Sequence, residues 1–389
     1  MMKQRAVVAL VALLAAGWAV PPATARADED EGSSTQKLHF HGYGELHFNI
    51  PGSGALVPDS GNPARADLHR MVWGMSYRFT DRISLHTEVD FEHAARDLEL
   101  EYAYVDFMVN PWATIRGGAI LMPIGNLNEF HEPPLFYSVE RPYVQTYLIP
   151  TTWTEAGAGL VGEWHGVRYR MYLTSGLNAD ASGGSASGFS ASQGIRGGRG
   201  KVNSAPSSGL AYAGRLEYVG IPGAIVGASA FIQPDADQRD TTLTAAGADP
   251  GVRLFEGDVR VRKAGFDIQG TVVHTRIKDA GTLNTVLATD IGEVHFGWYV
   301  EGAYHLLQLL SPDSEQDLVP FVRYERFDTQ AKMPAGFTAD PANNREVITA
   351  GISYLPIPQV AIKVDHESWK DGADDHGYRT NLGLAWMFY

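Results

Sequence analysis

Ile83-Ser84-Leu85-His86-Thr87-Glu88-Val89-Asp90-Phe91-Glu92 is the stretch on which the fold turns. Ile83, Leu85, Thr87, Val89 and Phe91 fall on one parity, and Ser84, His86, Glu88, Asp90 and Glu92 on the other. Successive side chains of a strand point to opposite faces, so this run reads as a β-strand with one apolar and one ionised face. The pattern extends in both directions. Met71, Trp73, Met75, Tyr77 and Phe79 interleave with Arg70, Val72, Gly74, Ser76 and Arg78. Val294, Phe296, Trp298, Val300 and Tyr304 interleave with His295, Tyr299, Glu301 and His305, and Val360, Ile362 and Val364 with Ala361, Lys363 and Asp365.

Sixteen such segments follow one another, near 37–50, 68–79, 83–93, 98–109, 113–122, 155–163, 167–175, 209–219, 224–233, 252–262, 265–277, 292–306, 318–328, 345–355, 359–368 and 377–389. Most are long enough to cross a hydrocarbon layer at a barrel tilt. The fourth changes phase near Glu101, as a bulge does. Connections alternate between long (51–67, 123–154, 176–208) and short (80–82, 110–112, 164–166), the layout of an outer-membrane barrel. Two break the rhythm: 94–97 is short where a loop is due, and 307–317 is long where a turn is due. A soluble β-sandwich also alternates, but its outward face is polar. Here the ionised set lies on the interior parity, so the apolar set has to face lipid. The expected fold is all-β, a transmembrane antiparallel up-and-down β-barrel of about sixteen strands, wide enough for an aqueous lumen.

The 389 residues include 42 glycines, 11% aromatics and no cysteine, with a formal charge of −14. Glycine suits tight turns and aromatics suit the interfacial girdles of such a barrel. Without cysteine there is no disulfide framework and no thiolate chemistry. Lys3 and Arg5 precede an apolar run, 6–20, and Ala25-Arg26-Ala27 follows. This is the pattern of a secretory signal peptide, and the run is short for a membrane anchor. The predicted organisation is a signal peptide at 1–27, a short segment at 28–36 and a barrel at 37–389, located in a bacterial outer membrane.

At the C-terminus, Tyr378, Thr380, Leu382, Leu384, Trp386 and Phe388 share a face. This resembles the terminal signature read by the outer-membrane insertion machinery, although Tyr389 follows Phe388. His41-Gly42-Tyr43-Gly44-Glu45-Leu46-His47-Phe48-Asn49 resembles the first strand of bacterial porins near the phosphate-selective porin O and P superfamily. Asn128-Glu129-Phe130-His131-Glu132-Pro133-Pro134, Val139-Glu140-Arg141-Pro142 and Ile149-Pro150-Thr151-Thr152-Trp153 carry the most specific likeness. Gly194–Arg199 and Phe321–Gln330 add to it. The resemblance covers nearly the whole mature chain. It implies a sixteen-stranded homotrimeric porin whose third loop folds into the lumen, passing small hydrophilic solutes or ions. In the phosphate-selective members, a ladder of arginines and clustered lysines draws anions. Here lysine is scarce, and carboxylates stand at many lumen positions.

The segment 123–154 is too long and proline-rich for a featureless loop. It is read as an inward constriction carrying Glu129, His131, Glu132, Glu140 and Arg141, opposed from the wall by Arg70, Arg78, Arg116 and Arg323. Mixed charges across a narrow pore set ion preference. The alternative is packing on the barrel rim, with Glu140 and Arg141 as structural ion pairs. Glu88, Asp90, Glu92, Glu99 and Glu101 form an acidic pore-lining patch, read first as an ordinary wet wall and second as a lure for cations. His39, His41 and His47 share the interior parity with Glu45. With no matching pair on a neighbouring strand, no metal site and no cofactor are expected. The Gly/Ser-rich 176–208 reads as a mobile external loop. Its Arg196, Arg199 and Lys201 are either solvated or in contact with lipopolysaccharide phosphates. G-x-S-x-G, H-E-x-x-H, phosphate-loop and calcium-loop motifs are absent, so no enzyme is expected. The acidic balance disfavours nucleic acid. The alternatives to a channel are a lipase-like barrel enzyme and a filled structural barrel.

Overall fold

The computed structural model describes residues 37–389 apart from 53, 55, 59–61, 182–184, 239–240 and 312–313. The expected signal peptide and the segment 28–36 lie outside the described residues. Sixteen strands form: β1 Leu38–Pro51, β2 Arg65–Thr80, β3 Ile83–Glu92, β4 Asp97–Asn110, β5 Ala113–Leu121, β6 Thr154–Trp164, β7 Val167–Thr174 and β8 Ala211–Ile221. They continue as β9 Ala224–Gln233, β10 Val252–Lys263, β11 Phe266–Ile277, β12 Val294–Tyr304, β13 Asp317–Lys332, β14 Asn344–Ile357, β15 Val360–Asp371 and β16 His376–Phe388. Each pairs antiparallel with its sequence neighbours, and β1 pairs with β16, closing the sheet.

The parity read from the sequence is the parity of the wall. Trp73, Phe107, Phe255, Ile268, Val322 and Ile362 are exposed, while Glu88, Asp90, Glu301, Arg323 and Glu367 are buried. A water-soluble protein inverts this arrangement, since ionised side chains are rarely buried and large contiguous apolar surfaces rarely exposed. The exposed apolar belt matches a lipid-facing band.

At one end the turns are tight. His165–Gly166 and Ala264–Gly265 take left-handed φ at both positions (47° and 77°; 52° and 82°), the hairpin geometry whose twist matches that of the flanking strands. The two irregular connections are real, and the strand count stands. Residues 93–96 form a tight turn at the loop end, and Leu306–Leu310 folds as a short helix at the turn end. The phase change in β4 is a bulge: Glu88 pairs with Tyr102 and Val89 with Leu100, leaving Glu101 unpaired. A second bulge lies nearby, where Glu45 pairs with Arg70 and Leu46 with Leu68, leaving His69 extra.

The connection 122–153 (loop L3) folds into the barrel. Its side chains or backbone bond to β9 (Gly125 N–H to Ser229 Oγ, 3.0 Å), β11 (Tyr137 Oη to Asp267, 2.6 Å), β13 (Val144 N–H to Glu325, 3.0 Å) and β15 (Val139 N–H to Asp365, 2.6 Å). Only a segment crossing the lumen reaches strands so far apart around the ring. The connection 175–210 (L4) departs from expectation. Leu177, Phe189 and Ile195 are buried with Trp153, Phe231 and Phe327 in an apolar cluster inside the loop end. Their apolar area outweighs the flexibility of the intervening glycines and serines.

Candidate functional site

L3 is pinned at its neck. Met122 N–H donates to Trp153 O (2.8 Å). The Asn128 side chain then clamps both ends: Nδ2 donates to Met122 O (2.8 Å) and Trp153 O (3.1 Å), and Oδ1 accepts from Trp153 N–H (3.0 Å). Beyond the neck, the short helix Val144–Tyr147 and the next turn bury Val144, Leu148 and Ile149. Gly297 on β12 makes room for them, because a Cβ there would lie 2.7 Å from Leu148 Cδ1.

The five L3 residues expected at a constriction are all inside the barrel, but their partners were only partly foreseen. Glu129 pairs with Arg170 of β7 (3.1 Å), and Arg170 also holds Glu217 (2.9 Å). Burial raises the Glu129 pKa, and Arg170 opposes that shift. His131 Nδ1–H donates to Asn128 O (2.8 Å), and its Nε2 lies 3.0 Å from the bulge residue Glu101 and 2.8 Å from Tyr43 Oη. Glu132 keeps one buried oxygen without a hydrogen-bond partner among the described residues. Glu140 accepts from Asn49 Nδ2 (2.9 Å) and faces Arg379 (3.5 Å) and His47 (3.8 Å). Burial favours its neutral form, but Arg379 and His47 outweigh this and lower its pKa. Arg141 makes neither hydrogen bond nor ion pair among the described residues. Burial, and then Arg70, lower its pKa to about 10. Of the two residues that the rim-packed alternative made structural ion pairs, Glu140 is so held, by Arg379 and His47, and Arg141 is not.

Of the wall arginines, two meet L3. Arg70 donates to Glu45 (2.7 Å) and His131 O (3.2 Å), and Arg323 to Glu325 (2.7 Å), Ser138 Oγ (2.5 Å) and Glu301 (3.1 Å). The other two do not bond L3. Arg78 is exposed near the turn end, beyond the loop's depth. Arg116 is captured by its cross-strand neighbour Asp106 through two 2.8 Å bonds. Arg170 and Arg379 take the roles expected of them. Both lie on interior parities of their strands, so alternation alone marked them.

The acidic patch is largely tied up. Glu88 accepts from Tyr102 (2.7 Å) and contacts His41 (2.8 Å), Glu101 accepts from Tyr43 (2.7 Å), and Lys201 of L4 pairs with Glu99. Asp90 keeps one unpaired buried oxygen, and Glu92 is partly exposed. Arg196 and Arg199 donate to Thr151 of L3. The basic residues of L4 therefore point into the barrel and not at lipid headgroups.

Water-accessible ionisable groups inside the barrel are asymmetrically placed. At the loop end they are Asp67, His69, His93, Glu92 and Glu99, under the short turn 93–96 (L2). At the turn end they are Asp106, Arg116, Glu163 and Arg168. Between them lie Arg141 and Glu132 of L3 and His41 of β1, each partly exposed, with Asp90 buried beside them. This polar lane runs down the β1–β7 wall, whereas the apolar cluster fills the loop end toward β8–β15.

A protein of Aquifex aeolicus (strain VF5), described only as uncharacterized, is 32% identical over 365 residues, covering 89% of this chain and 79% of its own length. The chain belongs to that protein's family. No protein-family model matches. Among solved structures, Salmonella typhi OmpF in complex with daunomycin gives a TM-score of 0.59 at 11% identity, over 90% of this chain and 97% of that one. The anion-selective porin from Comamonas acidovorans gives 0.57 at 10%, over 90% and 99%. The trimer form of in-vitro folded OmpT from Vibrio cholerae gives 0.53 at 10%, over 90% and 99%. At such identities the likeness is one of fold: a sixteen-strand porin-type barrel.

Proposed function

We propose that this chain is a bacterial outer-membrane porin, passing small hydrophilic solutes or ions by diffusion along the polar lane beside L3. The observation that carries the reading is the run of partly exposed ionisable groups inside the barrel, on inward strand parities and on L3, from loop end to turn end. Groups facing into a closed barrel are water-accessible only if water stands inside it. Kinship with the phosphate-selective O and P porins rests on residues 128–134, 139–142 and 149–153. A homotrimer embedded in lipid and lipopolysaccharide belongs to the same proposal, as does the absence of catalysis.

Arg141 and Glu132 are the ionised L3 groups left with unpaired atoms, so they set the charge preference of the lane. In planar bilayers under a salt gradient, R141Q is expected to shift the reversal potential toward cations and E132Q toward anions. Equal potentials in wild type and both variants would remove L3 from the filter. The apolar cluster at the loop end favours one rival, a filled structural barrel. Folded protein that gives no steady single-channel openings would decide for that rival.

A further inference from the structure

Asp67, His69 and His93 meet at the loop end of the lane. Asp67 Oδ2 lies 3.3 Å from His69 Nδ1 and 2.7 Å from His93 Nδ1. One ligand atom from each residue falls within 4.8 Å of the others. The rings of His69 and His93 stand nearly perpendicular, 5.5 Å between centroids, and His69 lies flat on His47 at 4.6 Å. His47 is itself held by Glu45 (2.9 Å), which is held by Arg70 (2.7 Å). The side chains of His69 and His93 are 38% and 39% exposed, open to ions from the loop end.

Two local devices bring the three together. Arg70 faces the lumen, so in a regular strand Asp67 and His69 would face lipid. The bulge at His69 resets the phase and keeps Arg70, His69 and Asp67 on the inner side. His93 then arrives from the L2 turn, where His93, Ala94 and Ala95 all take left-handed φ of 50°, 57° and 69°. Such backbone is strained for residues other than glycine and concentrates where surroundings fix it.

We propose that Asp67, His69 and His93 bind a divalent first-row transition-metal ion of the zinc type in the outer mouth of the lane. Two imidazole nitrogens and one carboxylate oxygen suit zinc, cobalt, nickel or copper, whereas calcium and magnesium take oxygen ligands. Metal–ligand bonds of about 2.0–2.1 Å put tetrahedral ligand atoms roughly 3.4 Å apart. Two spacings, 3.3 and 2.7 Å, lie near that value and the third is within 4.8 Å, so side-chain adjustments without backbone movement complete the set. Three protein ligands leave one position for water. The ring stack on His47 fixes the plane of His69, as the supporting contacts of metal-bound histidines do.

The binding site stands apart from the transport reading, and only its effect on current rests on that reading. The folded barrel in detergent, checked by heat-modifiable gel mobility, is titrated with Co²⁺ and then Zn²⁺. One saturable visible Co²⁺ band per chain, displaced by Zn²⁺, is expected. D67N, H69A and H93A should each weaken Zn²⁺ binding about tenfold or more, while H376A, at the exposed start of β16, should not. If an alanine variant fails to fold, H69Q or H93Q replaces it. No saturable band in wild type, or a band that survives H69A/H93A, overturns the site. In bilayers, Zn²⁺ added at the loop side should reduce wild-type current and spare H93A. A barrel that never conducts yet binds Co²⁺ sinks the porin reading and leaves the metal site standing.

Discussion

Single side chains decide how firmly L3 is held. Asn128 satisfies Met122 O, Trp153 O and Trp153 N–H at once. N128A strands buried backbone groups and should destabilise the barrel by about 1–3 kcal/mol, read as a lower temperature of heat modification and noisier single-channel current. An unchanged transition temperature would mean the neck is held elsewhere. The sequence showed that Glu129 and Glu140 lie in an inward segment, but not which arginine each would meet. Partners across a barrel depend on how deep a loop inserts, and spacing along the chain carries no record of depth. Hence Arg116, tied to its cross-strand Asp106, reaches Glu129 only through its charge, whereas Arg170 pairs with it directly.

At the level of elements, strands were legible and loops were not. Parity repeats every two residues, so all sixteen strands and even the Glu101 bulge left a periodic trace. L4 left none. Its buried Leu177, Phe189 and Ile195 are scattered among glycines and serines, and only the packed structure reveals that they share one cluster. The histidine cluster was missed for a related reason. His47, His69 and His93 sit on two strands and a turn, and without the bulge at His69 strand alternation puts Asp67 and His69 on the outer face, so no pair on a neighbouring strand matched. The connection 234–251 (L5) offers a pH test. Burial, reinforced by nearby Asp237, raises the Asp235 pKa from 3.8 to about 6. A carboxyl raised by folding contributes stability that is complete below about pH 4 and is lost as pH climbs through 6. Protection factors of L5 amides, taken relative to the intrinsic base-catalysed exchange rate at each pH, should therefore be larger at pH 5 than at pH 7.5, and D235N should flatten the difference. Smaller protection factors at pH 5 would reverse the sign and refute the assignment.

Over the whole molecule, one inversion governs behaviour: apolar residues outside and ions within. The barrel should require detergent or lipid to stay monodisperse. Dispersion in plain buffer would contradict the lipid-facing belt. Placing a lysine at outward mid-strand Val272 or Val300 is expected to cost about 2–4 kcal/mol, the depth-dependent penalty of a cation on a lipid face, whereas a lysine at exposed Ala373 in the 372–375 connection should be nearly neutral. Equal effects on folding in lipid would remove the distinction between belt and rim.

The pairing of β1 with β16 has a consequence for biogenesis. The strand made first waits for the strand made last, so its hydrogen-bonding edge stays open through all the synthesis in between. An open edge invites foreign chains, and so distant a pairing forms slowly. Such a polypeptide is open to misassociation until β1 and β16 meet. Ring closure is then the step that removes the last free edge and encloses L3.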